Sequence, residues 1–286
     1  MEFNSHALAQ TRILKNKKMA SLPKRLWKRI VRKFIGFYLA AIGTVGYKLI
    51  SRSNDYFAFK LKPKLNLDAF YVLYSNYRSY NDYTQIQEAK TRGRLEKFFE
   101  SDLSIAWTTE ENIKHLSRIL RSRFGKKRIS GVCMGSRSGE EQWMFNKYLG
   151  ARCHVIGVEL TSEAQRVPNT IIADFHHLPE YFLDSFEFVY SNSHDQSNNP
   201  RMAFSGWIDC LKIGGLLILE HSRAHGKSRA GAQDPFGAET ELLPYVMMSW
   251  FSDSITLEGI IEPPQPYDAG HKFLVFSKKE KSLFST

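Results

Sequence analysis

At 286 residues, with 43% apolar and 24% charged side chains, the chain can bury the core of one sizeable α/β domain and carry an appendage, and wholesale disorder is excluded. Its formal net charge of +11 suggests a nucleic-acid partner until the charge is located: residues 1–54 carry twelve Lys/Arg against the single acid Glu2, leaving the rest neutral. A neutral body lacks the Lys/Arg surface that tracks phosphates, so no nucleic-acid partner is expected.

Within residues 1–54, the segment LPKRLWKRIVRKF sets Leu26, Trp27, Ile30, Val31 and Phe34 at helical spacing among Lys24, Arg25, Lys28, Arg29, Arg32 and Lys33. It runs into fourteen uncharged residues, 34–47, fewer than the roughly 20 a spanning helix needs. Two readings stay open for residues 22–47: a helix on an anionic membrane face, or a solvated basic helix packed on the domain. The first would make the protein cytoplasmic and peripheral on the inner membrane face. Cys133, Cys153 and Cys210 show no CxxC or zinc spacing, which fits a reducing compartment and three packed thiols.

Residues 55–125 form a second segment, first rich in tyrosine and then helical. The tyrosines suit either cleft walls or amphipathic filler. Apolar periodicity predicts helices over 83–99 and 109–123, the latter capped by Thr108 or Thr109 ahead of Glu110, Glu111 and Asn112, and placed to cover one face of a ligand site. In the third segment, residues 126–286, strands alternate with helices. Strands are expected near 129–134, 154–159, 170–173, 186–190 and 214–220, with 254–261 and 271–278 closing the sheet as a hairpin across a Pro/Gly-rich loop.

The stretch GVCMGSRSG is a strand, a glycine turn and a helix start, which lets backbone N–H groups and a helix N-terminus approach a ligand. It is neither GxGxxG nor a Walker loop, and the YxxxK of Tyr56 and Lys60 lies ahead of it, against a short-chain dehydrogenase. Glu159 follows Gly139 by twenty residues at the end of the second strand, where an acid accepts hydrogen bonds from ribose hydroxyls.

In order, the glycine loop, the acid, Asp174 with Phe175, the segment SFEFVYSNS and the turn LKIGG resemble class I S-adenosylmethionine-dependent methyltransferases over about residues 80–279. That resemblance implies a doubly wound, mostly parallel α/β sheet of seven strands in the order 3-2-1-4-5-7-6, one of them antiparallel, behind an N-terminal helical extension. It implies S-adenosyl-L-methionine as cofactor, held by Gly135, Ser136, Arg137 and Gly139 in the loop, Glu159 and Leu160 at the ribose, Asp174 and Phe175 at the adenine, and Ser191 and Asn192 after the fourth strand. Two positions depart from the pattern. Cys133 stands where most members have an acid near the methionine amino group. Arg137 replaces the middle glycine, where a guanidinium either binds the methionine carboxylate or points to solvent.

Methyl transfer is an in-line displacement that needs a base only when the acceptor must lose a proton. Candidates after the fourth and fifth strands are His194, Asp195, His221, Arg223, His225 and Asp234, with His194 and Asp195 as the expected base pair and His221 next. His176 and His177 are expected to flank the adenine or face water. No HxxxH falls on an expected helix, so no metal is expected. The basic N-terminus suggests a small-molecule, glycan or lipid-linked acceptor; Cys133 and Arg137 keep open a noncatalytic module for binding or scaffolding.

Overall fold

The computed structural model describes residues 70–101 and 104–280; the basic segment 22–47 and the start of the tyrosine-rich stretch lie outside them. The described residues all belong to one compact unit, Asn66–Thr286. In chain order they form β1 (Tyr71–Leu73), α1 (Tyr80–Ser101), α2 (Glu110–Phe124), β2 (Ile129–Met134), α3 (Glu140–Leu149), β3 (Cys153–Glu159), β4 (Thr170–Ile172) and β5 (Phe186–Ser191). These are followed by α4 (Pro200–Cys210), β6 (Leu211–His221), β7 (Phe236–Ala238), α5 (Leu243–Phe251), β8 (Ile255–Ile261) and β9 (Lys272–Lys278).

Period-two alternation fixes the central layer. Along β2, Ile129 and Cys133 join one apolar cluster while Val132 and Met134 join the other, so the strand is buried on both faces, as a central parallel strand must be. One face is covered by Ile113, Leu116 and Leu120 of α2 and Met144, Phe145 and Leu149 of α3, the other by Phe204, Trp207 and Ile208 of α4 and Val246 and Met247 of α5. Each such fully buried large side chain contributes about 1.5–3 kcal/mol of transfer free energy.

The main sheet has seven strands in the order β4-β3-β2-β5-β6-β9-β8, with β9 antiparallel to both neighbours. Counted along the sheet's own strands this is 3-2-1-4-5-7-6, the order expected. Thr109 is the cap of α2, its side chain accepting from the Asn112 N–H at 3.3 Å.

Two features differ from expectation. The links flanking β4 hold single 3₁₀ turns, Ser162–Arg166 and Glu180–Phe182, where alternation predicts helices; Pro168 and Pro179 limit the helix-forming length there. A second, two-stranded sheet pairs β1 with β7, Tyr71 opposite Ala238. Both strands have three residues, too short to show a period.

Candidate active site

The loop between β2 and α3 is built around two glycines that nothing larger can replace. Gly135 (φ 72°) and Gly139 (φ 76°) are in the left-handed region, and an added Cβ would come within 2.7 Å of Ser193 Cβ and 2.3 Å of Val167 Cγ1 respectively. The Gly135 and Ser136 N–H groups donate to the Val158 carbonyl at 2.9 and 3.1 Å, bending the chain across the end of β3. Arg137 also takes a positive φ, 45°, which costs a non-glycine residue about 1–2 kcal/mol. Two contacts offset this: its N–H donates to Glu159 Oε2 at 2.9 Å, and its guanidinium Nη1 donates to the Ile105 carbonyl at 3.2 Å. The side chain is buried, so Arg137 does not point to solvent.

Glu159 is buried at the tip of β3, its other oxygen accepting from the Leu160 N–H at 2.8 Å. Burial raises its pKa, against the opposing pull of the Leu160 and Arg137 N–H groups and the guanidinium. Glu141, in the first turn of α3, is the acid that sequence reading missed. It is buried, Oε1 accepts from Asn192 Nδ2 at 3.3 Å, and Oε2 has no hydrogen-bond partner. Burial lifts its pKa to about 7, opposed by its own helix N–H, Arg137 and Asn192. Its charge also acts on the buried thiol of Cys133, so an acid does lie near Cys133, contributed by the helix in place of the strand.

The segment after β5 is stitched onto the loop: Ser191 Oγ donates to the Met134 carbonyl at 3.0 Å and Ser193 Oγ to the Gly135 carbonyl at 3.2 Å. Asp174 is engaged by the chain's own groups, accepting from the Tyr80 hydroxyl, the His176 N–H (2.8 Å) and His176 Nδ1 (2.9 Å), with His177 Nδ1 at 3.3 Å. Burial would raise its pKa, but the His176 and Tyr80 hydrogen bonds prevail and hold it below the usual carboxylate range. His176 is buried and reaches Ser197 Oγ at 2.7 Å, whereas His177 is exposed. The Phe175 ring edge comes within 3.9 Å of where a Cβ on Gly135 would stand. Tyr80 and Tyr83 of α1 pack edge-on against His176, so two of the tyrosines do line this edge.

At the ends of β5 and β6 the expected pairing of His194 with Asp195 does not form. The two lie in a 3₁₀ turn, where successive side chains diverge by about 120°. His194 Nε2 instead meets His221 Nδ1 at 2.8 Å, and Asp195 Oδ1 is buried without a partner. His221 Nε2 lies 3.0 Å from the Ala238 carbonyl, an acceptor only, so His221 carries its proton there and His194 donates to it. Burial, then neighbouring His225, holds both pKa values well below the ordinary range. Burial raises the pKa of Asp195 against the influence of His225 and Lys90. Arg223 is exposed, and Asp234 pairs with Lys90 of α1. His225 approaches the cluster from the turn after β6. Distant in sequence, His194 and His225 show no local ligand spacing, so the expectation of no metal cluster had no access to this convergence.

No family model matches the chain, and no curated protein matches it. Among solved structures it is similar to the Burkholderia thailandensis 1,6-didemethyltoxoflavin-N1-methyltransferase with bound 1,6-didemethyltoxoflavin and S-adenosylhomocysteine, at 15% identity and TM-score 0.52, over 74% of this chain and 94% of that one. It is also similar to the [4+2]-cyclase SpnF, at 12% identity and TM-score 0.50, over 70% of this chain and 97% of that one. The chain therefore has the class I S-adenosylmethionine-dependent methyltransferase fold. Identities this low establish the fold alone.

Proposed function

We propose that the protein transfers a methyl group from S-adenosyl-L-methionine to a small-molecule acceptor at the carboxyl edge of β2, β3, β5 and β6. The observation that carries this reading is the unpartnered Glu141 Oε2, buried beside a loop whose two glycines leave no room for a Cβ. An orphaned buried carboxylate oxygen calls for a cationic partner. The residues present fit the cofactor: Glu141 would hold its ammonium, Arg137 its carboxylate, Glu159 with the Leu160 segment its ribose, and Asp174 with Phe175 its adenine, while Ser136, Ser191 and Asn192 shape the loop around it.

When bound, the cofactor supplies an electrophilic methyl on a sulfonium, and the chain's own residues do the rest. The loop and the segment after β5 exclude water and fix the direction of approach. Buried neutral His194 offers its unpartnered Nδ1 as a hydrogen-bond acceptor that can orient an acceptor hydroxyl, with His221 holding the ring orientation. The small-molecule acceptor follows the methyltransferase neighbour, whose bound partner is one. A cyclase among the neighbours supports a second reading, in which the same fold carries a chemistry other than methyl transfer.

Calorimetric titration of the full chain with S-adenosylmethionine and S-adenosylhomocysteine tests the first step; folded protein that binds neither ends the proposal. Mass spectrometry of extracts from cells lacking the protein, incubated with it and S-adenosylmethionine, separates the two readings. A product heavier by one methylene, about 14 mass units, is expected for methyl transfer, and binding without any such product favours the cyclase-like reading. We further propose that residues 22–47 hold this domain to an anionic membrane face from the cytoplasmic side, on the charge pattern alone.

A further inference from the structure

We propose that His194, His221 and His225 form a binding site for a divalent transition-metal ion of the zinc class, at the carboxyl ends of β5 and β6. One ring nitrogen of each lies within 4.8 Å of those of the other two, and this is the one such group of potential ligands among the described residues. The ring centroids form a nearly equilateral triangle of 5.1, 4.9 and 5.0 Å. Three imidazoles on one tetrahedral ion, with metal–nitrogen bonds of about 2.0–2.1 Å, place their ring centres roughly 5 Å apart. The rings therefore already stand at the spacing a shared ion imposes.

The donor chemistry agrees. His194 Nε2 and His221 Nδ1 face each other at 2.8 Å across a single shared proton. An ion entering there moves that proton from His194 Nε2 to the unpartnered His194 Nδ1, so both rings stay neutral, and opens the pair by about half an ångström, toward the roughly 3.3 Å that two nitrogens on one tetrahedral ion require. His221 keeps its Nε2–H on the Ala238 carbonyl at 3.0 Å, the outer-shell bond that orients a ligating histidine. His225 is half-buried and is held by the Ser222 N–H on Nδ1 (2.9 Å) and the Asn192 carbonyl on Nε2 (3.0 Å); it joins by giving up one of these two bonds. Three neutral nitrogens select zinc, nickel, cobalt or copper over magnesium or calcium, and leave a coordination position open.

The test uses the full-length protein, stripped with a chelator and titrated separately with Zn²⁺ and Co²⁺. One equivalent of zinc per chain is expected, together with the intense visible bands of a four-coordinate cobalt ion. His225→Ala should weaken binding by more than about 100-fold, beyond what losing an outer-shell partner does. His221→Gln should abolish the cobalt bands. If the buried His221→Gln variant misfolds, the half-exposed His225→Ala carries the test, with circular dichroism as the measure of folding. Folded wild-type protein that takes up neither ion overturns the proposal, as does zinc binding unchanged by His225→Ala. S-adenosylhomocysteine binding is measured in parallel; its presence or absence leaves the metal result standing.

Discussion

Glu141 is buried at the N-terminal turn of α3, and its pKa is raised from 4.5 to about 7. An acid raised in the folded state contributes stability that is complete below its unfolded pKa, near 4.5, and is lost as pH rises through about 7. Glu141→Gln should therefore match wild type in denaturant unfolding at pH 4 and exceed it at pH 8 by up to roughly 3 kcal/mol. An ammonium beside the carboxylate reverses the preference. S-adenosylhomocysteine affinity should rise by up to about tenfold per pH unit between pH 6 and pH 7 in wild type and stay flat in Glu141→Gln. A flat wild-type profile would remove the ammonium role. Gly135→Ala, forced into φ 72° against Ser193, should cost about 1–3 kcal/mol and lower the melting temperature along with ligand affinity. Gly135, Gly139 and Glu159 were legible in the sequence because a turn and a strand end are local features. Glu141 was not: inside a helix it reads like any first-turn acid, and only burial sets it apart.

Helix α1 and the residues just ahead of it are joined to the loop before β7 by partly buried polar contacts. Tyr77 donates to the Ala232 carbonyl at 2.7 Å, and Lys90, its side chain 4% exposed, pairs with Asp234 and donates to the Gln233 carbonyl at 3.0 Å. Asp234→Asn leaves a buried ammonium without its counter-charge, a loss of up to about 3 kcal/mol, tempered because Asp234 is itself 37% exposed. Hydrogen exchange should show α1 amides opening faster in this variant while β2 and β5 keep their protection. The helices 83–99 and 109–123 and the longer strands of the main sheet could be read from their periods, and the three-residue β4 from its place between the glycine-loop unit and Asp174. The 3₁₀ links, the β1–β7 pair and the histidine cluster could not, because each depends on partners brought together only by folding.

At the scale of the molecule, the charge is divided between a basic first segment and a neutral remainder. Deleting residues 1–52 should leave S-adenosylhomocysteine binding intact and release the protein from anionic liposomes in a sedimentation assay. Equal liposome binding by the truncated protein would refute the anchor. A fold shared with a methyltransferase and a cyclase is a support on which the residues at the strand ends decide the chemistry.

The two-stranded pairing of Tyr71–Leu73 with Phe236–Ala238 also sets an order of events in time. Its partners are separated by most of the domain, so closing that contact is entropically costly until the central sheet has shortened the path between them. A nascent chain exposes β1 and the covering helix early but cannot seat β1 until β7 has been made. Docking of β1 therefore waits on a segment more than 160 residues further along the chain.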